Sequence, residues 1–346
     1  MLKFPKKDKI QFALLGSGYD LCNISNILLK QEFKKPIIVT HSKKFHSRDK
    51  KLMQNTERDI DIFSYSKENK IKLIEEDNIN SPKLIKKLLD FGVNVIFSHA
   101  CRSIIKKEFL NSFQNLVLNI HPSFLPEERG AATYSWRILN NQKFVAATIH
   151  QIDERIDSGP ILFQKKKILS KKELVVPLDY DIKTTKMYEL IFEDFLKKIQ
   201  KNQKITTIKQ NEKNSSYLPR LYTEINGAIN FDWNTDQIER FVRAFSYPYP
   251  GAFTFINKQK ICILECFIEK SKIKNHPFIA GRVSKKFSDG SVRIITNNGF
   301  IRITKIRVKN EIIDPAQIVK INDVLFTPRN FLDKSRMATI TVKNMK

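Results

Sequence analysis

Residues 118–126 read Leu118-Asn119-Ile120-His121-Pro122-Ser123-Phe124-Leu125-Pro126. The apolar run 116–120 leads into this stretch, and two prolines bracket the loop that follows. Short continuous apolar runs are typical of strands that are buried on both faces of a parallel sheet. In an open α/β sheet, ligands bind just outside the carboxyl ends of the strands. The stretch therefore predicts a buried strand whose end carries polar side chains into a binding site.

Four further apolar runs resemble this strand, at residues 11–15, 36–40, 93–98 and 145–149. Between them, residues 21–33 and 82–91 carry apolar side chains at helical spacing, as crossover helices do in parallel sheets. A last helix is predicted over residues 184–201, with Met187, Leu190, Ile191, Phe195 and Leu196 on one face. Residues 1–200 are therefore expected to form one α/β domain, a Rossmann-like, doubly wound and mostly parallel sheet.

A second domain is predicted after a polar linker at residues 201–222. Asn234 or Thr235 is placed to cap a helix that Pro248 and Pro250 cannot continue. Short alternating runs follow at residues 252–256, 261–268, 281–284, 292–296 and 300–308. They predict a small antiparallel barrel, OB-like, within residues 223–330. The polar tail at residues 331–346 is expected to be loose.

Composition narrows the class of protein. The 346 residues include 61 Lys and Arg against 36 Asp and Glu, a net charge of +25. This charge is compatible with RNA or with an anionic small substrate, although its even spread also fits a compositional habit of the source proteome. The four cysteines form no CxxC pair, so neither a disulfide framework nor a zinc site is predicted, which favours a cytoplasmic protein. No apolar run approaches the roughly 20 residues of a membrane span.

The polar side chains at the end of the strand suggest a reaction. Asn119 and His121 lie two residues apart, so both leave the same side of the strand, about 6 to 7 Å apart along the backbone. An amide donor beside an imidazole suits acyl transfer, which needs an oxyanion stabilised and a proton moved. Asp157, in the turn Asp157-Ser158-Gly159-Pro160, is expected to face His121, raise its pKa and fix its tautomer. A lone Asp or His is usually structural, but this ordered set is hard to obtain by chance.

These motifs resemble those of the N10-formyltetrahydrofolate-dependent formyltransferase family. The similarity lies in residues 119–126, in Arg129-Gly130-Ala131, in residues 147–153 and in residues 157–162. The second half is similar to the domain appended in methionyl-tRNA and amino-sugar formyltransferases, at residues 217–221, 229–233 and 249–252. The resemblance implies transfer of a formyl group from N10-formyltetrahydrofolate to an uncharged primary amine, without a metal. It assigns catalysis to Asn119, a protonated His121 and Asp157.

The resemblance also assigns binding residues. It places the pterin of the folate between Cys101, Arg102, Ser103 and Ile104 on one side and Ile152 and Asp153 on the other. Cys101 is expected to be an apolar filler rather than a reactive thiol. Residues assigned to the acceptor are Gly16, Ser17, Arg129, Tyr134, Trp136 and His150. The turn Gly16-Ser17-Gly18 fits either a phosphate at a helix N-terminus or a plain tight turn.

The acceptor amine is not settled by the sequence. His150 and the stretch 132–136 depart from the methionyl-tRNA pattern and favour a nucleotide-linked amino sugar. The net charge and the lysines of the linker, Lys201, Lys204, Lys209 and Lys213, favour tRNA instead. A formyl-folate hydrolase and a non-catalytic RNA-binding module are the remaining, less favoured alternatives. A homodimer is compatible with a sugar-modifying enzyme.

Overall fold

The computed structural model describes residues 1–170, 173, 175–269, 271 and 273–337. The strands of the first half are β1 Phe12–Gly16, β2 Ile37–Thr40, β3 Lys72–Glu75, β4 Val95–His99, β5 Val117–His121, β6 Arg129–Gly130, β7 Phe144–Gln151 and β8 Ile161–Ile168. Its helices are α1 Tyr19–Lys30, α2 Ser47–Met53, α3 Ile62–Glu68, α4 Pro82–Asp90, α5 Lys107–Ser112, α6 Thr133–Leu139 and α7 Pro177–Gln200.

Seven of these strands form one sheet in the order β3-β2-β1-β4-β5-β7-β8. The first five in that order run parallel, which confirms the Rossmann-like α/β prediction. The prediction of a parallel strand at residues 145–149 is wrong, because β7 pairs antiparallel with β5. Burial on both faces produces the same continuous apolar run in either direction. Strand β8 has no such run because most of this edge strand is not buried.

The helices cover both faces of this sheet. Ser81 caps α4 by accepting a hydrogen bond from the Leu84 amide at 3.2 Å, and Pro82 occupies the first turn. Helix α7 is longer than predicted and packs against β7. Of the five residues predicted on its apolar face, four are buried, whereas Leu190 is 48% exposed.

The second half contains β9 Tyr217–Leu218, α8 Thr223–Asn226, α9 Thr235–Ala244, β10 Ala252–Ile256, β11 Gln259–Glu269, β12 Val283–Lys286, β13 Val292–Thr296, β14 Gly299–Val308, β15 Glu311–Ile313 and α10 Arg329–Met337. Strands β10-β11-β14-β13-β12 form an antiparallel sheet, and β15 pairs with β14. Residues 324–326 bridge its two edges: Phe326 pairs with Phe255 of β10, and the Leu325 amide donates to the Gly281 carbonyl beside β12 at 2.8 Å. The predicted antiparallel domain is confirmed; its OB-like connectivity stays a prediction.

Residues 201–222, predicted as a linker, lie along the first domain. Ile205 bridges Leu2, Ile208 bridges Ile161, and β9 pairs in parallel with β6. The two halves also meet where α6 packs on α9, with the Ser135 hydroxyl donating to the Ala244 carbonyl at 2.8 Å.

The predicted polar tail is ordered in part. Helix α10 extends through Met337, so residues 331–337 of the predicted tail are helical. Phe331 packs against Phe255 with ring centroids 4.8 Å apart. Residues 338–346 lie outside the described part of the chain. Within the described residues, no helix combines the length and the apolar character that a membrane crossing requires.

Candidate active site

Strand pairing brings Asn119 together with His150. The antiparallel register of β5 and β7 sets these two residues directly opposite each other. Their side chains meet with Asn119 Nδ2 3.1 Å from His150 Nε2. His150 Nδ1 donates to the Gln151 carbonyl at 2.7 Å, so Nε2 is the ring nitrogen that can accept the amide proton of Asn119. The reversed direction of β7 therefore adds a second imidazole to the predicted site.

Asp157 lies between the two imidazoles. Its Oδ2 is 3.6 Å from His121 Nδ1, and its Oδ1 is 3.6 Å from His150 Nε2. The Gly130 amide donates to Oδ2 at 2.9 Å. On the far side of its ring, His121 Nε2 donates to the Glu128 carbonyl at 2.9 Å. The carboxylate is thus oriented by a backbone amide and faces one imidazole with each oxygen.

The loop 152–160 holds Asp157 in this position. Asp157 has a φ of 50°, in the left-handed region that Asp tolerates better than most residues. Gly159 lies so close to the Gln151 carbonyl oxygen that a Cβ would be 2.0 Å from it, so only glycine fits. The Gln210 side chain donates to the carbonyls of Asp157 at 2.9 Å and of Gly159 at 2.8 Å. Gln210 is itself buried, at 5% exposed, and holds the loop through these two hydrogen bonds.

Arg129, assigned to the acceptor from the sequence, is a structural residue. Its guanidinium is fully buried. All five N–H donors of an arginine are used: they go to the side chains of Gln210, Glu212 and Tyr217. No donor is left for a substrate, so Arg129 instead orients Gln210 and, through it, the Asp157 loop. Sequence reasoning missed Gln210 and Glu212 because they lie in a polar stretch without a recognisable motif.

Electrostatics assign different charge states to the two central residues. Burial raises the pKa of Asp157, but His121, His150 and the Gly130 amide outweigh it and hold that pKa well below its usual range. Burial lowers the pKa of His121, and this effect exceeds the opposing influence of Asp157 and the Glu128 carbonyl. The lowered pKa of His121 disfavours the protonated ring that the sequence predicts, and we infer that the resting site pairs an ionised Asp157 with a neutral imidazole. Neutral His121 keeps its proton on Nε2 and presents a free lone pair on Nδ1.

This charge state predicts a specific titration of His121. Because the pKa is lowered from 6.5, the ring should be neutral at pH 7 and become protonated only as the pH falls below about 6.5. Histidine NMR on the wild-type protein, with the His121→Gln variant to assign the signal, should show an Nε2–H tautomer at pH 7. A ring that remains protonated above pH 7 would contradict this assignment.

The residues assigned to the folate lie in two loops, one after β4 and one after β7. Cys101 and Ile152 are partly buried and pack against the same apolar cluster. Burial raises the pKa of the Cys101 thiol, which fits an apolar filler. Around them, Arg102 forms an ion pair with Asp49, the Ile104 carbonyl accepts from Asn80, and the Ser103 carbonyl lies 3.8 Å from Cys101 Sγ. Asp153 accepts from Ser158 Oγ at 2.6 Å and thus shapes the loop 152–160.

Of the remaining residues assigned to the acceptor, most have packing roles and one has a partly exposed side chain. A Cβ on Gly16 would lie 1.8 Å from the His99 carbonyl oxygen, so this glycine allows β1 to approach β4 closely. The buried Asp20, two residues after the Gly18 N-cap of α1, disfavours a phosphate near Ser17. Trp136 Nε1 donates to the Pro219 carbonyl at 2.9 Å and joins α6 to residues 201–222. Tyr134 is partly exposed beside the site.

An amide and two imidazoles around an ionised carboxylate, at the carboxyl edge of an α/β sheet, define an enzyme suited to acyl transfer. Among the described residues, no group of His, Cys, Asp or Glu is arranged to hold a metal ion. The chain belongs to the formyl transferase family. The model "Formyl transferase" matches residues 8–184, and "Formyl transferase, C-terminal domain" matches residues 222–322.

The similar proteins do not agree on one acceptor. The chain is 30% identical over 236 residues to the bifunctional polymyxin resistance protein ArnA of Wigglesworthia glossinidia brevipalpis, a match that covers 68% of this chain and only 34% of that protein. It is 25% identical to methionyl-tRNA formyltransferase of Ruminiclostridium cellulolyticum, covering 86% of this chain and 90% of the relative. An N-formyltransferase from Helicobacter canadensis, solved with folinic acid and dTDP-3-aminofucose, shares the fold: TM-score 0.62, 24% identity, 85% of this chain and 98% of that one.

Proposed function

We propose that the protein transfers a formyl group from N10-formyltetrahydrofolate to the primary amine of a nucleotide-linked amino sugar. The observation that carries the proposal is the ionised Asp157 placed between His121 and His150, with Asn119 hydrogen-bonded to His150. Membership of the formyl transferase family supports the formyl group as the unit transferred.

The sheet edge fits a folate donor. Cys101 and Ile152 supply an apolar border on two loops, which suits the flat face of a pterin. The side chain of Asn119, only partly buried, has no hydrogen-bond partner other than His150 in the described part of the chain, so its second amide proton is free for a formyl oxygen. The folinic acid in the Helicobacter canadensis enzyme supports a donor of this class. Such a donor supplies an activated formyl carbon bonded to nitrogen.

Three residues of this chain have separate roles in the transfer. Asn119 donates a hydrogen bond to the formyl oxygen, on which negative charge grows as the amine nitrogen bonds to the formyl carbon. Neutral His121 accepts the proton that the amine loses, through Nδ1. Asp157 stabilises the imidazolium that results, as its Oδ2 is 3.6 Å away. The bond from the formyl carbon to N10 of the donor breaks, and His121 returns the proton to that nitrogen, which restores the neutral ring.

The choice of acceptor depends on the site rather than on net charge. His150 contacts both Asn119 and Asp157, so the histidine that sets this sequence apart from the tRNA pattern is part of the reaction centre. Methionyl-tRNA is the second candidate, favoured by the nearly full-length similarity to methionyl-tRNA formyltransferase and by the net charge of +25.

The two acceptors can be separated by one assay. Purified protein is mixed with N10-formyltetrahydrofolate and either dTDP-3-aminofucose or methionyl-tRNA, and tetrahydrofolate release is measured. We expect release with the amino sugar and little release with the charged tRNA. A reaction without acceptor gives the hydrolysis rate. Formylation of methionyl-tRNA alone would replace the proposed acceptor, and release independent of any amine would identify a hydrolase.

A further inference from the structure

One short segment, residues 128–130, contacts both members of the catalytic pair. The carbonyl of Glu128 accepts from His121 Nε2 at 2.9 Å, and the amide of Gly130 donates to Asp157 Oδ2 at 2.9 Å. The imidazole and the carboxylate are therefore oriented by the same stretch of backbone. A shift of this stretch would move the hydrogen-bond partners of both side chains together.

Glu128 has a backbone conformation that its residue type does not favour. Its φ of 58° lies in the left-handed region, which glycine, asparagine and aspartate adopt far more readily than glutamate. The Ser216 hydroxyl oxygen accepts from the amide of Glu128 at 2.9 Å. Contacts with other parts of the chain must therefore hold residue 128 in this conformation, and Ser216 provides one of them.

The buried guanidinium of Arg137, on α6, holds the side chain of Glu128. Arg137 Nε donates to the two carboxylate oxygens at 3.2 and 2.9 Å, and Nη2 donates to Oε2 at 2.6 Å. The same Nη2 donates to the carbonyl of Pro122, the residue after His121, at 2.5 Å. One guanidinium thus joins both ends of the loop that runs from His121 to the carbonyl contacting its ring.

Stability alone is a weak explanation for this ion pair. Both side chains have to leave water, and well-packed apolar side chains of similar volume often stabilise a fold equally well or better. The pair is more informative as a means of fixing geometry, because Arg137 connects residues on either side of the catalytic imidazole.

Two acceptors compete for the single N–H group of neutral His121. Asp157 Oδ2 lies 3.6 Å from Nδ1, whereas the Glu128 carbonyl lies 2.9 Å from Nε2. Hydrogen bonds to an ionised acceptor are roughly twice as strong as those to a neutral one. At equal distances, Asp157 would therefore draw the proton to Nδ1. A ring protonated there has no lone pair on Nδ1 to accept a proton from the amine, so the base depends on the shorter contact with Glu128.

We infer that Arg137, through Glu128, selects the Nε2–H tautomer of His121 and so keeps Nδ1 free to act as the base. Both are positioning residues, since they act through the imidazole. The inference rests on the proposed function, because formyl transfer to an amine is the reaction that needs a free Nδ1. Burial lowers the pKa of His121, and the charge of Arg137 adds to this effect, which further favours a neutral ring.

The test removes the pair with the double variant Glu128→Gln, Arg137→Met, which leaves no buried charge unpaired. Its control is Glu239→Gln, Arg243→Met, which removes a pair on α9 with Arg243 Nε 2.7 Å from Glu239 Oε1 and side chains that are 11% and 10% exposed. Histidine NMR at pH 7 measures the tautomer of His121. We expect the ratio of Nδ1–H to Nε2–H to rise about 3- to 10-fold without the Arg137 pair, the effect of losing one hydrogen bond, and to keep its wild-type value in the control.

Kinetics give a second measure. With dTDP-3-aminofucose as acceptor, the double variant without the Arg137 pair should show kcat lowered about 10- to 100-fold, because its base is displaced and partly in the wrong tautomer, with KM changed far less. The thermal midpoint of each double variant reports on folding. Equal kcat in the two double variants at equal stability would mean that the pair has only a structural role, and would overturn the inference.

The tautomer measurement separates failure of the inference from failure of the proposed function. A wild-type tautomer ratio in the folded double variant would overturn the inference and leave the proposed function standing. A shifted ratio in a protein whose wild type formylates no amine would support the tautomer selection and overturn the proposed function. If the double variant does not fold, Ser216→Ala replaces it at an exposed position that holds the Glu128 amide. The ratio should rise there too, and an unchanged ratio would overturn the inference.

Discussion

Replacing Asp157 with asparagine is expected to lower kcat about 100- to 10,000-fold while the protein stays folded. The amide keeps the shape of the carboxylate and an oxygen for the Gly130 amide, which donates at 2.9 Å. It removes the negative charge between His121 and His150, so the imidazolium that forms when His121 accepts a proton is no longer stabilised. Tetrahydrofolate release in the presence of the amine measures the effect.

Glu154→Gln is the matched control for this variant. Glu154 lies in the same loop, its side chain is 61% exposed, and its nearest cationic partner is Lys107 at 4.0 Å. This variant should retain wild-type kcat. If Asp157→Asn were as active as the control, Asp157 would not stabilise the proton transfer and the mechanism would have to be abandoned.

The largest effect on stability is expected at the ion pair of Arg137 and Glu128. The Arg137 side chain is fully buried and that of Glu128 is 6% exposed, with Arg137 Nη2 2.6 Å from Glu128 Oε2. Arg137→Met should lower the free energy of unfolding by about 3 to 5 kcal/mol, because it leaves an uncompensated buried carboxylate. Urea denaturation followed by circular dichroism measures this change.

A second variant separates the charge from the packing. In the double variant Glu128→Gln with Arg137→Met, no buried charge is left unpaired, so part of the stability should return. Lys86→Met, which removes a surface pair with Asp90, should have almost no effect. A loss at Arg137→Met no larger than that at Lys86→Met would show that the buried pair does not stabilise the fold. Because the Glu128 carbonyl also accepts from His121, the single variant should disturb the catalytic imidazole as well.

Local patterns in the sequence predicted those features of the fold and the site that depend on neighbouring residues in the chain. The parallel core strands follow from apolar runs, and Asn119 and His121 follow from their position at the end of one run. The direction of β7 did not follow, because an apolar run carries no sign of direction, and this direction places His150 opposite Asn119. Gln210 was missed for a related reason: it acquires its role from a partner far away in the chain, 53 residues from Asp157.

The segment that connects the two halves contributes side chains that support the catalytic half. Gln210, Glu212 and Tyr217 hold Arg129 and the Asp157 loop, yet they lie in residues 185–221, between the two stretches that the family models match. In evolutionary terms, this stretch must be inherited with the first half even when the second half is exchanged. A hybrid enzyme joined at residue 222 takes Asp157 and the residues that hold its loop from the same protein. A hybrid joined at residue 200 combines the Asp157 loop of one protein with the supporting residues of another.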